Sequence, residues 1–296
     1  KVIAEPDTLI ITNVAITNVD CYGNNTGSIQ VDVSGGTKDY NFEWTDSSGS
    51  VVQTNEDLSN AILGRYALKV TDEQGCIDTI QDVIITQPDS LDIYNIVKEN
   101  VDCYGNSTGD LFVDISGGTK AYDYEWRKVS NSSLVSTDED LRNVPIGIYI
   151  LTVTDKNLCQ KNYTDTITQP DLFKFDDFNV KGVTCYGDTT GAIYTTLIGG
   201  SAPFKHIWQK LNKDTIGNSK DLINVPVGYY YTTVEDDSGC VITSNNIFVE
   251  APATPLSIWG LVTTDLICYG DSNGTADYSV YGGTPSYKYY WKLDTQ

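Results

Sequence analysis

Cys21-Tyr22-Gly23-Asn24-Asn25-Thr26-Gly27-Ser28-Ile29-Gln30-Val31-Asp32-Val33-Ser34-Gly35-Gly36 reads as a turn, a strand and a second turn. Ile29, Val31 and Val33 alternate with polar neighbours, which is the period of a strand buried on one face. The stretch is written four times. Cys103-Tyr104-Gly105, Cys185-Tyr186-Gly187 and Cys268-Tyr269-Gly270 follow at intervals of about 82 residues. A glycine pair follows each (Gly35-Gly36, Gly117-Gly118, Gly199-Gly200, Gly282-Gly283), and then a tryptophan at a fixed distance (Trp44, Trp126, Trp208, Trp291). A period this long is a domain period, so the chain reads as an array of like domains.

Proline-aspartate pairs set the expected boundaries. They give repeats at 7–88, 89–170 and 171–252, a truncated repeat at 253–296, and residues 1–6 as the tail of a preceding repeat. The expectation is a piece of a longer array. About 80 residues per repeat is enough for one small core, which gains from a covalent staple.

Each repeat reads as all-β. Leu111-Phe112-Val113-Asp114-Ile115 repeats the first strand, and Tyr40-Asn41-Phe42-Glu43-Trp44 and Tyr122-Asp123-Tyr124-Glu125-Trp126 form a second. Tyr66-Ala67-Leu68-Lys69-Val70 and Tyr149-Ile150-Leu151-Thr152-Val153 form a third. Turn residues punctuate the strands, and no stretch keeps a helical period. The expected fold is a tandem array of immunoglobulin-like or fibronectin-like β-sandwiches. Gly64-Arg65-Tyr66, Gly147-Ile148-Tyr149 and Gly228-Tyr229-Tyr230 place a tyrosine at a strand start, where its hydroxyl bonds back to the preceding loop. A large ring at one place per repeat is a packing residue, so Trp44, Trp126, Trp208 and Trp291 are the expected core aromatics. Glycine pairs supply positive φ in a turn.

The net charge is −21 over 296 residues, and an acidic surface repels phosphate backbones. Nucleic acid is therefore excluded as a partner. No apolar run is long enough to span a membrane. His206 is the lone histidine and stands in one repeat only, so a recurring serine–histidine–aspartate arrangement is excluded and no enzyme is expected.

Seven cysteines fall into two classes. One is the Cys-Tyr-Gly set; the other is Cys76, Cys159 and Cys240, each just after a turn that begins at Asp72, Asp155 or Asp236. Two per small domain argue for disulfides and an oxidising compartment. Zinc is not expected without a Cys-x-x-Cys pair. The plain scheme pairs within repeats: Cys21–Cys76, Cys103–Cys159 and Cys185–Cys240, with the mate of Cys268 beyond the chain end. A rival scheme pairs across repeats: Cys21–Cys159 and Cys103–Cys240. It arises because sandwich topology puts the two classes at opposite poles, roughly 20–35 Å apart. Both schemes stay open at this point. Carboxylates near the two poles (Asp20, Asp72, Asp102, Asp155, Asp188, Asp236, Asp237) are candidates for a structural calcium ion, set against solvated turn aspartates. No other cofactor is expected.

The ordered motifs resemble the SprB-repeat family. They are Cys21-Tyr22-Gly23-Asn24-Asn25-Thr26-Gly27, Gly35-Gly36-Thr37, Trp44, Thr71-Asp72-Glu73-Gln74-Gly75-Cys76 and Thr86-Gln87-Pro88. The third repeat departs at Val234-Glu235-Asp236-Asp237 and Glu250-Ala251-Pro252, and the second has Leu158 at the turn glycine. The resemblance implies a stalk segment of a very large adhesin on the surface of gliding Bacteroidetes-type bacteria, secreted by the type IX system and carried along the outer membrane exterior by an envelope motor. It implies the gliding machinery, a substratum polysaccharide and neighbouring repeats as partners. Such bacteria attach O-glycans at Asp-Ser/Thr before an aliphatic residue or Thr, which singles out Thr8, Thr79, Ser90, Thr166, Thr189 and Thr215. The alternative reading is a glycan-binding module array, or accessory domains of a secreted carbohydrate-active enzyme.

Overall fold

The computed structural model describes residues 5–292, so part of the expected N-terminal tail and the last four residues of the truncated repeat lie outside the described residues. Among the described residues all helical and strand structure is strand. Contacts divide the chain into two compact units. One holds the residues up to Asn100 with Ser107–Thr168; the other holds Val101–Asn106 with the residues from Gln169 on.

The first unit begins with β1 (Ile10–Thr17), β2 (Gly27–Ser34), β3 (Asn41–Asp46), β4 (Val51–Gln53), β5 (Leu58–Ala61), β6 (Gly64–Thr71) and β7 (Ile77–Ile85). They form two antiparallel sheets, β1-β2-β5 and β4-β3-β6-β7. Ile29 and Val31 of β2 and Leu68 and Val70 of β6 turn inward, and they share one core with Trp44, Leu58 and Ile85. Period-two alternation on both sheets makes such a core, because each sheet has one apolar face to bury. The arrangement recurs with β8 (Asp92–Glu99), β9 (Gly109–Ser116), β10 (Tyr122–Lys128), β11 (Ser133–Ser136), β12 (Leu141–Val144), β13 (Gly147–Asp155) and β14 (Gln160–Ile167). Their sheets are β8-β9-β12 and β11-β10-β13-β14. This is a sandwich of three strands on four.

The second unit holds β15 (Lys174–Lys181), β16 (Gly191–Ile198), β17 (Lys205–Lys210), β18 (Thr215–Gly217), β19 (Leu222–Val225), β20 (Gly228–Glu235), β21 (Val241–Thr243), β22 (Ile247–Val249), β23 (Ser257–Thr264) and β24 (Thr275–Tyr281). The sheets are β15-β16-β19, then β18-β17-β20 with β21 and β22 both on β20, and a hairpin β23-β24. The last strand of the four-stranded sheet is thus broken in two here, with Ser244 between the pieces.

Trp44, Trp126 and Trp208 are fully buried. Each indole Nε1 donates to a carbonyl, Glu56 at 3.1 Å, Glu139 at 3.1 Å and Ser219 at 3.0 Å. The ring thus fills the core without leaving its polar atom unpaired. Trp291 departs from the expected role: it is 63% exposed and leans on Tyr278. The β23-β24 hairpin presents no opposing sheet among the described residues, so there is no interior for this ring to enter. The tyrosine hydroxyls bond back as expected, Tyr66 to the Ile62 carbonyl (3.0 Å), Tyr149 to Pro145 (2.8 Å) and Tyr230 to Pro226 (2.8 Å).

Candidate functional site

The cysteines form the most specific arrangement in the chain, and strand register decides it. Cys21 follows β1 and precedes β2, beside the pair Thr17↔Ser28. Cys76 follows β6, beside Thr71↔Ile77. Thr71 is opposite Asn41, which comes just after the far end of β2. The whole of β2 therefore separates Cys21 from Cys76, about 25 Å at 3.3 Å per residue. A disulfide needs Cα atoms within about 7 Å. The within-repeat scheme is therefore corrected. Cys21 is bonded to Cys159, and Cys103 to Cys240, each with Cα atoms 5.7 Å apart. Cys76, Cys185 and Cys268 are free and exposed. Each bond links the Cys-Tyr-Gly turn of one repeat to the second cysteine of the next.

The turn is built alike each time. Asn24, Asn106, Asp188 and Asp271 each donate a backbone N–H to the cysteine carbonyl three residues back, at 3.1 Å. Gly23, at φ +79°, donates its N–H to Oε1 of Gln87 at 3.0 Å, and Gly105 does the same to Gln169. The glutamine of Thr-Gln-Pro thus fastens the end of its repeat to the turn that carries the cysteine. Asp20 adds a cap, accepting from the Thr26 hydroxyl (2.6 Å), the Asn24 amide (3.0 Å) and Cys21 N–H (2.6 Å). The Thr26 and Asn24 bonds hold its carboxyl below the usual range.

The second cysteine sits on an aspartate-centred loop. Asp155 is 2% exposed and accepts from Asn157 and Cys159 N–H at Oδ1 and from Thr119 N–H at Oδ2, at 2.8–2.9 Å. Asp72 does likewise with Gln74, Cys76 and Thr37, and Asp236 with Cys240 and Ser201. The Thr37 N–H is the leading reason that the Asp72 carboxyl lies below its ordinary value. The oxygens of these aspartates face backbone donors, and together they order the loop after the glycine pair and the loop before the cysteine. Among the described residues no group of three or more His, Cys, Asp or Glu is gathered as a metal site. The recurring Asp four residues before the second cysteine was the available signal for this anchor, as the Gln of Thr-Gln-Pro was for the turn.

At the first latch Asn157 also reaches across, its Nδ2 donating to the Asp20 carbonyl (2.9 Å) and the Thr119 hydroxyl (3.1 Å). Gly117, at φ +70°, lies so near the Ser90 carbonyl that an added Cβ would be 1.9 Å from that oxygen. That approach demands glycine on two counts. At the end of the second unit the Thr284 hydroxyl donates to the Thr184 carbonyl at 3.4 Å, placing another Gly-Gly-Thr loop beside another Cys-Tyr-Gly turn.

Other candidate positions are plainer. His206 is buried on β17, where the other repeats have Phe42 and Tyr124; burial lowers its pKa, and neither its Nδ1 nor the Thr232 hydroxyl has a partner among the described residues. Thr8, Thr79, Ser90, Thr166, Thr189 and Thr215 are all exposed. Alkylation of the native, unreduced chain is expected to modify Cys76, Cys185 and Cys268 and to spare the other four until reductant is added. Labelling of Cys21 or Cys159 before reduction would contradict the first latch.

Among the described residues no helix is long and apolar enough to cross a membrane. No curated protein sequence matches the chain. Among solved structures it is similar to three N-terminal domains of the bacteriophage RB49 highly immunogenic outer capsid protein, at 14% identity and TM-score 0.43, over 80% of this chain and 98% of that one. It is similar to the I-band fragment I67–I69 of titin at 13% identity and TM-score 0.40, over 85% and 100%. It is also similar to the FN1–FN3 domains of chicken CNTN1 at 10% identity and TM-score 0.26, over 83% and 98%. The sandwich fold rests on the strand pairings above rather than on these scores. The SprB repeat matches residues 13–49, 95–131 and 260–294. Each matched segment contains a Cys-Tyr-Gly turn, which carries one cysteine class, and a Gly-Gly-Thr loop. The corresponding segment of the third repeat is unmatched, and there Ser201-Ala202-Pro203 replaces the sequence after the glycine pair. With its repeat found three times along the chain, this is a protein of the SprB-repeat family.

Proposed function

We propose that the chain is a stalk segment of a large secreted adhesin, built from repeats at 7–88, 89–170 and 171–252 with a partial repeat from 253, that holds a cell to its substratum during gliding. The observation that carries the reading is the latch. A protein that works through its own continuity gains from covalent bonds between successive repeats, whereas an enzyme or a soluble binding module does not need them. Two disulfides also suit an extracellular chain. In this reading the stalk is exported by the type IX system, travels on the outer membrane exterior, and does no catalysis. Beads carrying antibody to this chain, placed on living cells of the source organism, are expected to be carried along the surface. Beads that stay fixed on gliding cells would refute the role.

The second reading, a glycan-binding array, draws on one feature. Tyr229 and Phe248 pair at 4.7 Å and are about half exposed, the kind of platform on which a sugar ring stacks. A glycan array probed with the purified chain is expected to be blank under the stalk reading. A specific hit lost in Tyr229→Ala would favour the binding array instead.

A further inference from the structure

The two latches overlap. Cys21–Cys159 spans a sequence separation of 138 and Cys103–Cys240 one of 137, and Cys103 lies inside the first span while Cys159 lies inside the second. We infer that tension applied along this chain is carried by a covalent path that runs backwards through residues 159 to 103, with the flanking segments 22–102 and 160–239 held slack in reserve.

The reasoning needs only connectivity. Between Cys21 and Cys240 three routes exist. One crosses the first disulfide and follows the chain forward from Cys159 to Cys240. Another follows the chain from Cys21 to Cys103 and crosses the second disulfide. The third crosses the first disulfide, returns along the chain from Cys159 to Cys103, and crosses the second. This last route contains the fewest residues, so it becomes taut first and limits the extension. At 3.3–3.6 Å per extended residue it reaches roughly 200 Å, against roughly 290 Å for either route through one disulfide and roughly 750 Å for the open chain. The loaded segment contains β9 to β13. Strands β8 and β14, which begin and end their repeat in sequence, lie off the taut route. A break anywhere in 22–102 or 160–239, by protease or by chemistry, leaves the load path intact. The array therefore tolerates one cut in either reserve segment without parting, and a single cut within 104–158 lengthens the chain but still does not sever it, because the two one-disulfide routes share no part of that segment.

This deepens the stalk reading and rests on it only for its biological use; the bonds can fail the test while beads still travel, and the reverse. The test is single-molecule stretching of residues 1–296 by handles at the two termini. Replacing Cys21 and Cys159 together by serine is expected to lengthen the fully stretched chain by roughly 90 Å, and replacing Cys103 and Cys240 together by the same amount. Removing all four is expected to add roughly 550 Å. Cys76→Ser is expected to change nothing. Adding dithiothreitol to the unmodified chain under load repeats the full gain without any substitution, each bond exchanging to two protein thiols as the reagent closes to its cyclic disulfide, so misfolding of a variant cannot hide the result. Within-repeat pairing would instead give a gain of roughly 400 Å for the first double replacement and a longer chain for Cys76→Ser. Either result, or no gain on reduction, would overturn the inference.

Discussion

Replacing Cys21 and Cys159 together by serine is expected to lower the stability of the first unit by about 4–5 kcal/mol, read from guanidinium unfolding followed by tryptophan fluorescence. The bond closes a loop with a sequence separation of 138, and cross-linking a loop of that size removes a large share of the freedom of the unfolded chain. Small domains hold only about 5–15 kcal/mol in total, so the loss is a large fraction of what keeps the unit folded. The bond also ties two cores into one cooperative event. With it, residues 10–85 and 92–167 are expected to unfold in one transition; without it, in two. A shift below about 1 kcal/mol with unchanged cooperativity would mean that the bond contributes through neither loop closure nor coupling. Cys76→Ser is the matched control, since that thiol is free and exposed.

Trp126→Ala is expected to cost about 3–5 kcal/mol, a large share of what keeps its sandwich folded. The ring is fully buried, and the substitution leaves both a cavity and the Glu139 carbonyl without its indole donor. Trp126→Phe keeps most of the volume and is expected to lose less. Trp291→Ala is expected to stay within about 0.5 kcal/mol, because that ring is 63% exposed. Thermal melts of the three variants check the order. A Trp291→Ala loss equal to that of Trp126→Ala would show that the last ring also occupies a core.

The strands were legible because each carries its own evidence. Ile29, Val31, Leu68 and Val70 alternate with polar residues, and the alternation alone states which face is buried. Tyr149 and Trp126 were legible because a large side chain at one place per repeat has a packing role. The aspartates misled because sequence gives a carboxylate its charge but not its neighbours. Asp72, Asp155 and Asp236 read as solvated or ion-binding, yet each is buried against backbone donors from two loops. Gln87 reads in the sequence only as part of the Thr-Gln-Pro motif for the same reason: its partner Gly23 is 64 residues away, as Gly105 is from Gln169.

The repeat, its all-β character and its need for covalent support are set by the sequence alone, because period and alternation are local patterns that survive without a neighbour in view. Which cysteine meets which is not local. Cys21 is nearer in sequence to Cys76 than to Cys159, but β2 stands between the first pair, while the start of the next repeat delivers Cys159 to the same end as Cys21. Strand length and register fixed that choice, and only the folded chain contains them.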